Sequence, residues 1–388
     1  MPTYELLVFL SLAAIYLIGL VVLHISWRKP GSKLEEPEDS QLPAVTIVIP
    51  VRNEEHNIAL LLEDLRRQDY PQDKMEVIVV NDGSTDGTEE AFAKIVGDIE
   101  AFKWIALDLP EEYGGSHKKA AITRGVAESS GELILVTDGD CRVGKAWSRQ
   151  VATCYLNTDA VFLSGPVAYI TDGSFEDDLL TIEFASLIGV GGATMRMGMP
   201  TMSNGANMAF SRKAFEQVQG YEGNEHIPSG DDEYLMRKLH KRFPGKLDFM
   251  KYTQSVVYTD PPTGWGDFFQ QRLRWAGKWR LHRSWAMKFL AIYIFLFHLV
   301  WLAFPIWSLA QGTLQDLVLY LWLGALSAKL LLEWVFLYKV VRLAGQRFNI
   351  IAFLFLQVAY SVYAVVFGLA AQWPFYTWKG RKYRHSQK

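Results

Sequence analysis

Hydrophobic residues in this chain fall into three patterns. The first is a single long run: Leu6 to Ile25 is almost wholly apolar, and Trp27, Arg28, Lys29 and Lys33 follow it. About 20 such residues make a spanning helix. A cleaved leader would carry its positive charge before the run and end it on small residues, which this stretch does not do. By the positive-inside rule the N-terminus faces out and Arg28 onward faces the cytoplasm. Residues 31–43 are polar and proline-bearing and read as a short tether.

The second pattern is short and alternating. Val45 to Ile49 is a β-branched run. Asn53 then caps a helix whose first turn holds Glu54 and Glu55 and whose apolar face is Ile58, Leu61, Leu62 and Leu65. Glu76 to Val80 predicts a second strand, ending in the polar loop Asn81–Thr88, and Trp104 to Leu107 a third. A helix over Lys118–Ser129 leads to a strand over Leu133–Thr137 that ends in Asp138-Gly139-Asp140. Strands alternating with helices predict an α/β fold with a mostly parallel sheet and ligands at the carboxyl ends of the strands. Beyond it come a strand over Ala160–Ile170, a helix over Leu179–Ile188, and Gly205–Phe210 leading into a helix over Arg212–Val218. Ser229-Gly230-Asp231-Asp232 opens a further helix with Leu235, Met236 and Leu239 on its apolar face, and Lys246–Tyr258 holds strand-like segments.

The third pattern is membranous. Asp267 to Trp285, rich in Trp, Arg and Phe, fits an amphipathic helix at a bilayer surface. Apolar stretches follow at Met287–Leu309, Leu314–Val340 and Ile350–Trp373. The first connection lacks Lys and Arg and fits outside; Lys339, Arg342 and Arg347 fit inside. Counting spans then puts the C-terminus outside, whereas the basic tail Trp378–Arg384 belongs inside, so one stretch is re-entrant, interfacial or a hairpin. The resulting plan is a transmembrane helix (1–27), a linker (28–43), an α/β domain (44–263), an interfacial segment (264–286), a C-terminal membrane region (287–376) and a basic tail (377–388).

Composition adds exclusions. The net charge of −3 gives no footprint for nucleic acid. Two cysteines, Cys141 and Cys154, make no disulfide framework and no metal-binding spacing.

The chemistry gathers at strand and helix ends. Asp138 and Asp140 are hard oxygen ligands suited to a divalent cation carrying a diphosphate, and equally good turn and capping residues. Asp82 can bond a base or ribose or close a turn. Lys118 and Lys119 can face a diphosphate or solvent. Asp231 and Asp232 can cap a helix, or one of them can serve as a general base whose proton affinity its neighbour raises. In Gln271-Arg272-Leu273-Arg274-Trp275, the arginines can bind a leaving diphosphate and the indole can offer an acceptor an aromatic platform; the same residues also suit a membrane-surface belt.

Together, Val45–Pro50, Val80–Asp86, Asp138-Gly139-Asp140, Gly230-Asp231-Asp232 and Gln271–Trp275 resemble the membrane-bound members of glycosyltransferase family 2, in particular poly-N-acetylglucosamine, chitooligosaccharide and hyaluronan synthases. The resemblance covers roughly residues 45–275. It implies a GT-A domain and inverting β-transfer from a nucleotide-diphospho-sugar, most often a UDP-sugar, with Mg²⁺ or Mn²⁺. It implies a growing polysaccharide as acceptor, with a membrane lipid as the alternative. By the same resemblance Asp232 is the catalytic base and Asp140 the metal ligand. Asp82, Lys119, Asp138, Arg272 and Arg274 bind the donor, and Asp231, Gln271 and Trp275 gate the donor or meet the acceptor. The chain departs from the family in having Asp231 where many relatives have Glu, and in its single N-terminal span. Nothing implies nucleic acid as a partner; the expected surroundings are the lipid bilayer of the cell membrane, with the catalytic domain cytoplasmic.

Overall fold

The computed structural model describes residues 4–28, 34–109, 115–227, 229–281, 285–313, 315–372, 375–378 and 381–384. Helix α1 (Tyr4–Arg28) is apolar on every side: Leu7, Ile15, Ile18 and Ile25 stay exposed while Leu6, Phe9 and Leu20 are covered by other helices. Its 25 residues span roughly 37 Å, more than the ~30 Å hydrocarbon core of a bilayer. The described part of the linker does not hang free. Lys74 Nζ donates to the carbonyls of Asp39, Ser40 and Leu42 at 2.8–2.9 Å, and Arg149 pairs with Asp39 at 2.6 Å.

Then β1 (Val45–Val51), α2 (Ile58–Arg66), β2 (Met75–Asn81), α3 (Thr88–Val96), β3 (Phe102–Ala106), α4 (His117–Ala127) and β4 (Leu133–Val136) alternate. The four strands pair in parallel. β1 and β2 lie inside the sheet with helices over it, so residues of both their faces are buried. This explains why they read as unbroken apolar runs rather than as alternation.

Next come β5 (Cys141–Val143), α5 (Trp147–Thr158), β6 (Phe162–Ser164), β7 (Val167–Tyr169), α6 (Phe175–Arg196), β8 (Met208–Ser211), α7 (Arg212–Gln217), α8 (Asp231–Arg242), β9 (Leu247–Phe249) and β10 (Val257–Thr259). The main sheet runs β3-β2-β1-β4-β8-β6-β9, with β8 antiparallel to β4 and β6; β5, β10 and β7 form a small sheet. The single strand expected over 160–170 is therefore two. They separate at Gly165-Pro166, where proline has no N–H for a ladder, and Asn207 Nδ2 takes the Pro166 carbonyl at 2.8 Å.

Helix α6 also extends past its expected end at Ile188. Gly189 and Gly192 are close-approach sites rather than breaks: a Cβ would sit 2.8 Å from Phe336 and 2.8 Å from Phe249, respectively. α6 is thus wedged between the α/β domain and α1, and it also packs against the later helices over Asp316–Leu343 and Ile350–Ala370.

The remaining elements are α9 (Gly264–Leu281), α10 (Trp285–Ala310), α11 (Asp316–Leu343), α12 (Ile350–Ala370) and a hairpin of β11 (Phe375–Trp378) and β12 (Arg381–Arg384). By length and composition α1, α6, α10, α11 and α12 could cross a membrane, but α6 is largely covered by protein. α1, α10 and α11 each have one end on the catalytic domain or α9 and one far from it. Trp27 meets Phe249 and Phe336, whereas Phe9 stacks on Phe304.

α12 is different. It starts at the catalytic domain, where Asn349 Nδ2 donates to Asp178 at 2.6 Å. Its middle meets the other two helices: Lys329 of α11 donates to Gln357, and Ser361 meets His298 of α10. Its end comes back, with Phe367 against Phe269 of α9 at 5.0 Å, and β11 packs on α9. Both ends of α12 thus contact elements on the side of the α/β domain.

Candidate active site

The carboxyl ends of β1, β2 and β4 meet at one edge of the sheet. Two strand-end loops are laced together there. Arg52 Nη1 donates to the carbonyls of Asp82 and Gly83 at 2.6 and 3.0 Å, Asn53 N to Ser84 Oγ, and Thr85 N to Asn53 Oδ1. Asp82 is thereby fixed at the tip of β2, buried, with His117 Nδ1 2.7 Å from its Oδ1. β4 delivers Asp138 and Asp140, both lining a cleft of about 1230 Å³. Between them Gly139 presses on the floor: a Cβ there would lie 2.9 Å from Val51 and 3.0 Å from Glu54. A side chain at 139 would push the two acids away from the sheet edge.

Across the cleft, α8 begins at Gly230, with Asp231, Asp232 and Glu233 in its first turn. Acids at a helix N-terminus are favoured by its unsatisfied N–H groups, and Asp232 Oδ1 accepts from Glu233 N at 2.8 Å. Asp231 and Asp232 are both buried and both line the cleft. Lys118 joins the two halves, 2.5 Å from Asp138 Oδ1 and 3.4 Å from Asp231 Oδ2. Burial opposes its charge, but Asp138, Asp231 and Asp232 outweigh that and raise it above the usual lysine range.

Lys119, one residue on, points elsewhere. It is buried, its ammonium donates to the carbonyls of Asn224 and Ile227 at 2.9 and 3.0 Å, and it lies 4.5 Å over the ring of Tyr234. It tethers the loop ahead of α8, while Lys118 is the lysine in the cleft wall.

α9 closes the third side. Gln271, Arg272, Arg274 and Trp275 all line the cleft. Arg272 has a fully buried side chain and a forked pair with Glu183 of α6, Nε to Oε1 at 3.2 Å and Nη2 to Oε2 at 2.5 Å. It also donates to Gln271 Oε1 and lies between the rings of Phe268 and Trp275 at 4.4 and 4.5 Å. Burial works against the guanidinium, but the Glu183 carboxylate raises its pKa overall. Trp275 in turn stacks on Phe184 at 5.8 Å.

The structure thus brings Asp82, Asp138, Asp140, Asp231, Asp232, Gln271, Arg272, Arg274 and Trp275 to one cleft and turns Lys119 behind it. Sequence reasoning missed His117 and Glu183. A histidine beside two lysines at a helix start was a signal for the first. Glu183, inside an apolar helix, gave one only as a charge with no visible partner.

Among the described residues no group of three or more His, Cys, Asp or Glu could hold a metal ion unaided. Asp138 and Asp140 fit a cation that arrives with its own ligands, because Mg²⁺ and Mn²⁺ sites commonly take one or two carboxylates and complete their shell from substrate phosphates and water.

Two family models match, Glycosyl transferase family 2 over residues 46–219 and Glycosyl transferase family group 2 over residues 133–370. Glycosyltransferase AglE of Haloferax volcanii is 34% identical over 130 residues, covering 34% of this chain and 41% of that protein. Poly-beta-1,6-N-acetyl-D-glucosamine synthase of Staphylococcus aureus is 26% identical over 252 residues, covering 64% of this chain and 56% of the synthase. The matched stretches therefore span less than two thirds of these relatives. Among solved structures, the mannosyltransferase PcManGT from Pyrobaculum calidifontis, in complex with GDP-Man and Mn²⁺, superposes with a TM-score of 0.54. It is 17% identical, with 94% of each chain covered, and shares the fold.

Proposed function

We infer, since the chain belongs to glycosyltransferase family 2, that it is a membrane-bound inverting β-glycosyltransferase whose catalytic domain is cytoplasmic. The donor is a nucleotide-diphospho-sugar. Asp82, oriented by His117, takes the nucleoside, and Lys118 and Arg274 face the diphosphate, with Asp138 beside the sugar. A divalent cation at Asp140, when bound, offsets charge on the departing diphosphate. Asp232 accepts the proton of an acceptor hydroxyl as that oxygen bonds to C1. The C1–O bond to the β-phosphate breaks, the nucleoside diphosphate leaves, and C1 inverts. Asp231 pairs with Lys118, and Trp275 gives the acceptor sugar an apolar face.

Two acceptors suit a hydroxyl at Asp232: the end of a growing polysaccharide, or a group on a membrane lipid. The observation that favours the lipid is the filling of the membrane bundle. The space between α1, α10 and α11 is packed by Leu6, Phe9, Phe297, Trp301 and Phe304. Among the described residues this bundle is filled by side chains rather than by an open channel, which supports a lipid acceptor over a secreted polymer. Asp232→Asn tests the chemistry: donor binding persists and transfer falls at least about 100-fold. Near-normal turnover would reject Asp232 as the base. Mass spectrometry of the product tests the acceptor, with a single added sugar on lipid expected and a polymer ladder refuting that choice.

A further inference from the structure

One wall of the cleft is neither helix nor strand. It is the stretch between α6 and β8, from which Ser203, Asn204, Gly205 and Ala206 line the cleft. This wall presses on the groups that join the two halves of the site. A Cβ on Gly205 would lie 2.6 Å from Asp231 Oδ2 and 3.0 Å from Lys118 Nζ. The backbone at Gly205 therefore limits where Asp231 and Lys118 can sit, and Asp232 is the next residue of α8.

An irregular wall in that position needs an anchor. Asn207, which ends it, is fully buried. Its Nδ2 donates to the carbonyls of Pro166 and Ser255 at 2.8 and 2.7 Å, and its Oδ1 accepts from Trp147 Nε1 at 3.2 Å. Its backbone is engaged as well: Asn207 N donates to the Asn204 carbonyl at 3.1 Å, and Gly165 N donates to the Asn207 carbonyl at 2.8 Å. Two donors and an acceptor on so short a side chain are what asparagine offers. The surroundings are shaped to it, because a Cβ on Gly165 would collide with Nδ2.

We propose that Asn207 is a positioning residue for sugar transfer: it fixes this wall against Asp231 and Lys118 and so holds Asp232 at the reacting centre. The proposal rests on the transferase reading above. Its support is where the tied segments lead. Gly165 follows Ser164 at the end of β6, and Ser255 precedes β10, which runs into Thr259 and Asp260; Ser164, Gly165, Thr259 and Asp260 all line the cleft. Asp82 and Asp138 stand instead at the ends of β2 and β4, and the three partners of the Asn207 amide lie on other elements. Loosening the amide therefore shifts the walls around Asp232 and leaves the strand ends that take the nucleoside in place.

The experiment compares wild type, Asn207→Asp and Trp147→Phe as purified full-length proteins in detergent, below their unfolding midpoints. Asn207→Asp keeps the shape and loses both donors, whereas Trp147→Phe removes only the bond to Oδ1. Titration with UDP and with GDP in the presence of Mn²⁺ reads the nucleotide edge. Release of nucleoside diphosphate from the nucleotide sugar that wild type turns over fastest reads kcat. Nucleotide affinity is expected to stay at the wild-type value in both variants. The kcat should fall about 100-fold in Asn207→Asp, as for a ~1 Å misplacement of a reacting group, and by a smaller factor in Trp147→Phe. An unchanged kcat in Asn207→Asp overturns the proposal. So does a parallel loss of nucleotide affinity and kcat, which general loosening of the domain would give. If Asn207→Asp does not fold, Trp147→Phe decides by the same two outcomes. Turnover by wild type in the same assay shows separately whether the transferase reading itself stands.

Discussion

Glu183 and Arg272 lie outside the sheet edge that holds the acids, yet the position of α9 depends on them. The informative perturbation is Glu183→Gln. Arg272 has no exposed side-chain surface and Glu183 is 7% exposed, so salt and water screen the pair little. Near 4 Å and at an effective dielectric of ~20, two unit charges attract by ~4 kcal/mol. Desolvation offsets most of that in the intact pair, but removing one partner strands the other charge at a cost of about 3–5 kcal/mol. The amide keeps one acceptor oxygen, which places Glu183→Gln at the lower end, about 3 kcal/mol. At roughly 2–4 °C per kcal/mol for a domain of this size, the unfolding midpoint should fall by about 6–12 °C. Transfer should fall with it, because α9 carries Gln271, Arg274 and Trp275 and is held to α6 by this pair and by Trp275 on Phe184.

The double variant Glu183→Leu/Arg272→Met separates support from chemistry. Replacing a buried pair by apolar residues of similar volume is often neutral or stabilising. If Arg272 acts only by docking α9, the double variant regains both the midpoint and most of the transfer rate. Differential scanning fluorimetry in detergent and a nucleoside diphosphate release assay read the two quantities. A double variant as stable as wild type but without transfer would refute this account and return Arg272 to the donor diphosphate, the role the sequence resemblance gave it. Unchanged stability and turnover in Glu183→Gln would show that the pair supports nothing.

Further outcomes follow from other contacts. Lys118→Met should weaken nucleotide-sugar binding about tenfold in a titration, whereas Lys119→Met should lower the unfolding midpoint and change donor affinity less than about threefold; the reverse order would exchange their roles. Asp140→Asn should abolish the difference in donor affinity measured with Mn²⁺ and with a chelator, and a retained difference would remove Asp140 from the metal site. Burial alone would raise the pKa of Glu76, but Lys103, the Ser130 N–H and the Thr46 hydroxyl hold its carboxylate below the ordinary 4.5. It therefore stabilises the fold above that pH and loses the contribution as pH falls through its lower folded value. Glu76→Gln should flatten the acid limb of midpoint against pH; parallel curves would show that Glu76 contributes no such term.

The donor half was legible because each of its signals is local. A buried strand, a turn rich in Asp and Gly, and a capped helix are decided by residues within a few positions, and the sheet then brings successive strand ends together. Asp82, Asp138 and Asp140 had no other place to go once the strands paired in parallel. What sequence could not decide was direction. Lys118 and Lys119 are adjacent at a helix start, about 100° apart around its axis. One points into the cleft and the other behind it, and only the packed position of α4 determines which. The course of α6 was hidden for a related reason. Nothing near Gly189, Gly191 and Gly192 in the sequence says that the helix continues through them; Phe336, Met202 and Phe249, which approach them from elsewhere, make them contact points.

The membrane half shows what polar residues in apolar sequence do and do not specify. Gln357, Tyr360 and Ser361 interrupt the last hydrophobic stretch, which marks it as unusual without saying how. Lys329 and Glu333, one turn apart on α11, form a 3.0 Å pair, and a lone pair of that kind in hydrocarbon is expensive. It is completed from outside: Tyr16 of α1 donates to Glu333 at 2.7 Å, and Lys329 donates to Gln357 of α12 at 2.6 Å. His298 of α10 and Ser361 of α12 join at 3.1 Å. The interruptions thus hold α12 to α10 and α11. Its outer face, with Ile351, Phe355, Val358, Val362 and Val366 exposed, stays apolar. From the anchored turn onward α12 supplies Tyr360, Tyr363, Ala364 and Phe367 to the wall of the catalytic cleft. The polar residues that interrupt this apolar stretch thereby serve the site: they anchor α12 where it forms one wall of the cleft.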